Sequence, residues 1–200
     1  MSANPLSPPR WSHRQGGASA LDLALLLASC AGGPVDTFEL SAAKPTPAPP
    51  TQAQVRIAEP VASIDLDSDR ILVRTGPEQV ATLAGARWPE RLPLLIQSRL
   101  SQTFENARLL RQVGSRATTS AEYNLDVEIR TFELDVAQSR VKVDLAVKIV
   151  SVGGGRVVAA QIFTAEAPVA STSAANVSAA LDGALSSVMT RIVAFVASRL

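Results

Sequence analysis

Three patterns in this chain predict an α+β fold, a mostly antiparallel sheet with a long bulged hairpin, covered by two amphipathic helices. Residues 121–167 alternate apolar and polar side chains with a period of two. Residues 88–106 and 177–196 instead place apolar side chains at three- and four-residue spacing. Glycine, proline and small polar residues separate these runs, so strands and helices are segregated along the chain, the pattern of an α+β domain.

The N-terminus reads as a targeting segment. Arg10, His13 and Arg14 form a basic stretch, and Ala18 to Ala28 is an apolar run too short to span a bilayer. It ends in Leu27-Ala28-Ser29-Cys30, a branched aliphatic residue, two small residues and the only cysteine of the chain. That spacing reads as a lipobox, in which Cys30 receives acyl chains such as palmitate and becomes the mature N-terminus. The alternative is a buried thiol, since free cysteine is among the most buried residue types; position, context and uniqueness favour the lipobox. Asp22 runs against the pattern, because a charge at the centre of an inserted helix costs roughly 2.5–3.5 kcal/mol. Asp22 and the long basic stretch weaken the signal or point to a misplaced start codon, without erasing the lipobox.

Removal of residues 1–29 changes what the composition implies. The 200-residue chain carries 19 Lys and Arg against 18 Asp and Glu, a formal charge of +1. Arg10, Arg14 and Asp22 lie in the removed segment and also sum to +1, which leaves the mature chain near zero. A neutral chain has no electrostatic footprint for nucleic acid and no polybasic membrane patch. The expected organisation is a signal peptide over 1–29, a lipid-anchored N-terminus over 30–52 and a periplasmic domain over 53–200. Within 30–52, Thr37–Ser41 reads as a short strand. Lys44-Pro-Thr-Pro-Ala-Pro-Pro-Thr51 reads as an extended tether.

Val55–Val61 and Ile71–Arg74 are apolar runs bounded by turn formers and read as strands. Asp65, Asp67 and Asp69 between them imitate the start of a calcium loop, but the sixth position lacks glycine and the twelfth is Gly76, not glutamate. They read as a polar loop, and no metal site is expected. Trp88, Leu92, Leu95, Ile96, Leu100 and Phe104 form one helical stripe. Pro93 places the regular helix near Arg91.

In the hairpin, Tyr123, Leu125, Val127 and Ile129 carry one face, then Phe132, Leu134 and Val136 carry it. The switch from odd to even implies a β-bulge near Arg130 or Thr131. The second strand alternates as Val141, Val143, Leu145, Val147 and Ile149. A turn at Gln138-Ser139 would set Leu134 opposite Val143 and Asp135 opposite Lys142, then Val127 opposite Ile149 and Glu128 opposite Lys148. Gly153-Gly154-Gly155 turns the chain into a third strand, Arg156–Ala167, and no phosphate-binding lysine follows. Ser173 is a fitting N-cap for the last helix, whose stripe runs from Val177 to Val196.

Catalytic equipment is sparse. The mature chain has no histidine and no free thiol, which removes the common triads and zinc sets. No enzyme activity and no cofactor are expected. A carboxylate-dependent hydrolase would require a concave cleft with converging acids, whereas Asp126 and Glu128 read as a solvated sheet face beside basic partners.

The order of these elements resembles the ABC-type transport auxiliary lipoprotein family, the lipoprotein partners of MCE-type intermembrane transport systems. The resemblance spans roughly residues 27–198. It is carried by Asp69-Arg70-Ile71-Leu72-Val73, Ala86-Arg87-Trp88, Ala121-Glu122-Tyr123-Asn124-Leu125-Asp126-Val127 and Ser178-Ala179-Ala180-Leu181-Asp182-Gly183-Ala184-Leu185. The family usually has tyrosine near 64 and often tryptophan near 195, where this chain has Ile64 and Phe195. The resemblance implies a lipid-anchored periplasmic subunit working with an MCE protein and an inner-membrane permease and ATPase. The cargo would be phospholipid or a similar apolar molecule. Ala31 after Cys30, in place of aspartate, is similar to lipoproteins sorted to the outer membrane. Asp69, Arg70, Arg87 and Trp88 are the candidate partner-contact residues, Trp88 being also the start of a buried stripe. Self-association is left open. The rival reading is a structural or envelope-assembly lipoprotein of the outer membrane with no transport role.

Overall fold

The computed structural model describes residues 34–44, 51–108, 110–114 and 121–200. Within them the chain forms β1 (Asp36–Thr37), β2 (Thr51–Ile57), β3 (Val61–Ala62), β4 (Arg70–Gly76), β5 (Gln79–Arg87), α1 (Leu92–Ala107), β6 (Leu110–Gly114), β7 (Tyr123–Asp135), β8 (Arg140–Ser151), β9 (Val157–Pro168) and α2 (Ala174–Ala197). All the strands belong to one sheet.

That sheet is mixed, which corrects the expectation of a mostly antiparallel one. β4–β5, β7–β8 and β8–β9 are antiparallel. β2, β3 and β4 all pair parallel to β7, β2 also pairs parallel to β6, and β1 pairs parallel to β5. The physical reason is reach. Short turns advertise antiparallel neighbours, whereas Val73 opposite Leu134 joins segments far apart with no turn signal between them. Neither β5 nor β6 was expected. β5 is mostly exposed and rich in small residues, with Ala86 its one buried position, so it lacks the alternation of a half-buried strand.

The bulge lies where the phase change puts it. Ile129 pairs with Leu145 and Thr131 with Asp144, which leaves Arg130 as the extra residue. The partners differ from those expected by two positions: Leu134 faces Val141, Asp135 faces Arg140 and Leu125 faces Ile149. A slip of two keeps every side chain on its face, so apolar still meets apolar, and acid meets base at Asp126–Lys148, Glu133–Lys142 and Asp135–Arg140, while Glu128 now faces Ala146. The cause is the turn. Val136 leaves the hairpin ladder, its N–H donating to Arg74 O at 3.1 Å, and Ser139 adopts a left-handed φ of 50°. The loop is therefore Val136–Ser139, and Val136 is partly exposed instead of continuing the apolar face.

Both helices cover the same sheet face. α1 buries Leu92, Leu95, Ile96, Leu100 and Phe104, and α2 buries its stripe from Val177 to Val196. Ser173 caps α2, its hydroxyl accepting from Asn176 N–H at 3.4 Å. α2 is long and apolar enough to cross a membrane by length and composition, and its apolar stripe is the part packed onto the sheet and α1.

The folded unit begins earlier than residue 53. Leu40 and Ala43 are buried in the core. Ala43 N–H donates to Thr103 Oγ1 (3.0 Å) and Arg99 holds Glu39 (2.5 Å), which ties this strap to α1. Ser41 N–H donates to Asp182 Oδ1 (2.6 Å), which ties it to α2. The proline-rich stretch, whose residues 45–50 lie outside the described residues, therefore joins two parts of the folded unit. The expected Thr37–Ser41 strand reduces to β1.

Arg74 on β4 grips the buried Glu133 on β7 with two hydrogen bonds of 2.6 and 3.0 Å. That hydrogen bond raises the Arg74 pKa above its already high value, so the arginine stays charged throughout the physiological range. Arg74→Ala strands a buried carboxylate and is expected to cost about 1–3 kcal/mol, discounted because Arg74 is one-third exposed. Urea unfolding of Arg74→Ala and of Arg74→Ala/Glu133→Ala measures it; the double variant should recover part of the loss.

Candidate functional site

The loop between β3 and β4 brackets the start of α1. Arg91, the N-cap position, offers no side-chain cap. Ser68 O instead accepts from Leu92 N–H (2.9 Å), and Asp69 O accepts from Trp88 N–H (2.8 Å). Arg91 turns back and binds Asp67 through Nε and Nη2, both at 2.7 Å, with Glu59 3.4 Å away. The hydrogen bond that Arg91 donates to Asp67 raises the arginine's pKa, so Arg91 stays charged at physiological pH. Of the three aspartates in the calcium-like spacing, Asp67 thus serves an arginine clamp. Among the described residues no group of three or more His, Cys, Asp or Glu could hold a metal.

The sequence-predicted contact residues divide. Asp69, Arg70 and Arg87 converge, with Val35 and Gly85, on one cleft of about 220 Å³ at the β1–β5–β4 edge. Arg70 and Arg87 stand opposite each other in the β4–β5 register, an unfavourable like-charge pair that solvent and Asp69, 4.0 Å from Arg70, moderate. Arg87 Nε donates to Thr37 Oγ1 (3.3 Å), and Arg87 O accepts from Phe38 N–H, so β1 is held by the same residue. Gly85 adopts φ +68°, a conformation that suits glycine, where β5 turns toward β1.

Trp88 does not join them. It is 1 % exposed and lies before α1, its ring edge-on to Phe132 with centroids 5.9 Å apart. Its candidate role as a contact residue is corrected to a core role, because a side chain so enclosed has no surface to offer. The candidate lipobox, Leu27, Ala28, Ser29 and Cys30, lies outside the described residues.

A second surface was not singled out in the sequence. On the outer face of the sheet, register aligns Val61 with Glu128, Ala146 with Glu128, and Ile162 with Ala146. This row crosses β3, β7, β8 and β9. Val61 is 69 % exposed and Ile162 53 %, and the small Ala146 between them leaves two open troughs that share Glu128, Ala146 and Lys148. Ile64, three residues beyond Val61, is 87 % exposed. Asp126 and Glu128 project onto this open face beside Lys148, not into an enclosed cleft. The row is invisible in one dimension, because each of its residues comes from a different strand.

The family model of the ABC-type transport auxiliary lipoprotein component matches residues 38–193. The crystal structure of protein XCC0632 from Xanthomonas campestris, of the family-model DUF330, superposes with TM-score 0.76 at 29 % identity, covering 82 % of this chain and 96 % of that one. An uncharacterized protein superposes with TM-score 0.64 at 12 % identity, covering 78 % and 99 %. The hypothetical protein CT253 from Chlamydia trachomatis gives 0.51 at 14 %, covering 74 % and 98 %. The last two show a shared fold alone. No curated protein matches.

Trp88→Ala is expected to destabilise the domain by about 3–5 kcal/mol, the usual loss for a large buried aromatic. Arg70→Ala, on an exposed side chain, should change stability by no more than about 0.5 kcal/mol. Denaturant titrations of the two variants separate core from surface.

Proposed function

The chain belongs to the ABC-type transport auxiliary lipoprotein family, and from that premise we propose that it is the non-enzymatic, lipid-anchored binding or scaffold subunit of an MCE-type intermembrane transport system. It is anchored through Cys30 in the cell envelope, facing the periplasm from the outer membrane. There it holds an MCE protein in place while the permease and ATPase of the same system drive passage of phospholipid or a similar apolar cargo.

One observation carries this reading. The inner face of the sheet is closed by α1 and α2, while the outer face leaves the Val61–Glu128–Ala146–Ile162 row uncovered. Among the described residues, the domain therefore offers an open surface to a partner. Exposed large apolar residues interleaved with charges are what an interaction surface needs: burial supplies affinity, and Glu128 and Lys148 supply register. Ile64 extends the apolar end of the row.

The test is site-specific photo-crosslinking in cells from position 162, with position 158 on the same strand as a comparison. An MCE-family protein is the expected adduct from position 162. Val61→Asp, with the crosslinker kept at 162, should leave folding intact, abolish the adduct and lower transport. Repeated failure to recover an MCE protein while the variant still lowers transport would overturn the partner assignment. Cys30→Ala is expected to move the protein from the membrane fraction to the soluble fraction without loss of fold, read by fractionation and circular dichroism.

A further inference from the structure

The anchor point and the folded unit are closer than the proline-rich stretch suggests, because that stretch does not lie between them. Resting on the reading of Cys30 as the acylated residue, only Ala31, Gly32 and Gly33 separate the anchor from Pro34. The folded chain then continues through Val35 into β1. Four residues span at most about 14 Å when fully extended. The polar headgroup layer is roughly 5–7 Å thick per leaflet. The remainder is comparable to the Debye length of about 8 Å at physiological salt. A compact unit of this length is roughly 40 Å across, so such a spacer cannot hold it clear of the bilayer.

We infer that the β1–β5–β4 edge, bearing Val35, Asp36, Asp69, Arg70 and Arg87, is the membrane-apposed surface of the domain and rests on zwitterionic phospholipid headgroups. Its side chains suit that occupant. Arg70 is 64 % exposed at its side chain and Asp69 42 %, Val35 projects from the edge, and the cleft between them is open. Two guanidinium and two carboxylate groups sum to zero charge. Arginine takes a lipid phosphate by charge-assisted hydrogen bonds, and the carboxylates take its amine. A neutral edge of this kind gives little affinity without an anchor; it orients a domain that the acyl chains already hold. The outer-face row is then left for a protein partner, and Asp69, Arg70 and Arg87 pass from candidate partner contacts to lipid contacts.

The experiment uses the acylated full chain in phosphatidylethanolamine-containing vesicles with a headgroup-attached spin label. Acylation consumes the Cys30 thiol, so Val35→Cys and Ile162→Cys can each carry a single fluorophore. Strong quenching at position 35 and weak quenching at 162 are expected. Twenty glycine and serine residues inserted between Gly33 and Pro34 add roughly 25 Å of mean reach, and most of the quenching at position 35 should vanish. Equal quenching at the two positions in an acylated, vesicle-bound chain overturns the orientation and leaves the anchor standing. A photo-crosslink from position 35 to a protein, with quenching no stronger than at 162, assigns the edge to that protein and overturns it likewise. A wild-type chain without acyl groups, or Cys30→Ala still bound to membranes, overturns the anchor and this inference together.

Discussion

Everything in this fold hangs on one strand. β7 is paired along its whole length to β8 on one edge, and on the other edge it receives three separate segments end to end. β2 meets it at Tyr123–Leu125, β3 at Glu128–Ile129 and β4 at Glu133–Asp135. The bulge at Arg130 falls between the second and third of these. Without the extra residue, the period of two would send Phe132 and Leu134 to solvent and the polar residues beside them to the core. With it, Leu125, Val127, Ile129, Phe132 and Leu134 all face the helices. Phe132 then meets Trp88, and Glu133 on the opposite face meets Arg74. The bulge lets one long strand serve two sub-sheets with a single apolar face.

The same logic governs how the edge is tied to the core. Asp69 gives its carbonyl to Trp88 while its carboxylate stays at the surface beside Arg70. Trp88 anchors in the core, and Arg87, next to it in the chain, holds β1. The exposed charges of that edge are therefore mounted on residues whose backbone is fixed by burial one position away. Arg91 and Asp67 complete the mounting by tying the loop to the start of α1. A surface built this way keeps its geometry when something rests against it.

Much of this was legible in one dimension, for reasons that also mark where legibility stops. The face of every residue in β7, β8 and α2 follows from local period, because each has one clearly buried side. The bulge is legible because an odd-to-even switch has a single cause. Pairing by charge cannot distinguish a register from the one two residues away. Asp135 meets Arg140 as readily as Lys142, and the hydrogen bond from Val136 to Arg74, a tertiary contact, decides between them. Parallel pairs and the exposed β5 carry no local signature at all. Among candidate contacts, the convergence of Asp69, Arg70 and Arg87 was legible as sequence fragments, and the burial of Trp88 was one of its two readings. The outer-face row and the strap over 38–43 were not, since both exist only through contacts between distant segments. Reading the prolines as a spacer failed because composition reports stiffness, not which two parts a stretch connects.

The far side of the sheet shows why an ordered arrangement of surfaces matters. β9 has twelve residues, one neighbouring strand among the described residues, and exposed Val157, Val158 and Ile162. A long apolar edge strand of that kind is a template for uncontrolled pairing. The chain blunts it in three places. Arg191 of α2 reaches over to donate to Thr164 O at 2.7 Å, occupying a backbone acceptor. Glu166 pairs with Arg140 at 3.2 Å and puts charge on the strand. Pro168 ends it without an N–H. Among the described residues nothing blunts Val157–Ile162, the part that meets the outer-face row. Protection is therefore graded along β9: the helix-proximal half is closed to added strands, and the half beside Ala146 and Lys148 stays accessible. An edge that only had to avoid aggregation would be defended throughout, so a half-open one fits a surface whose apolar residues are meant to be covered.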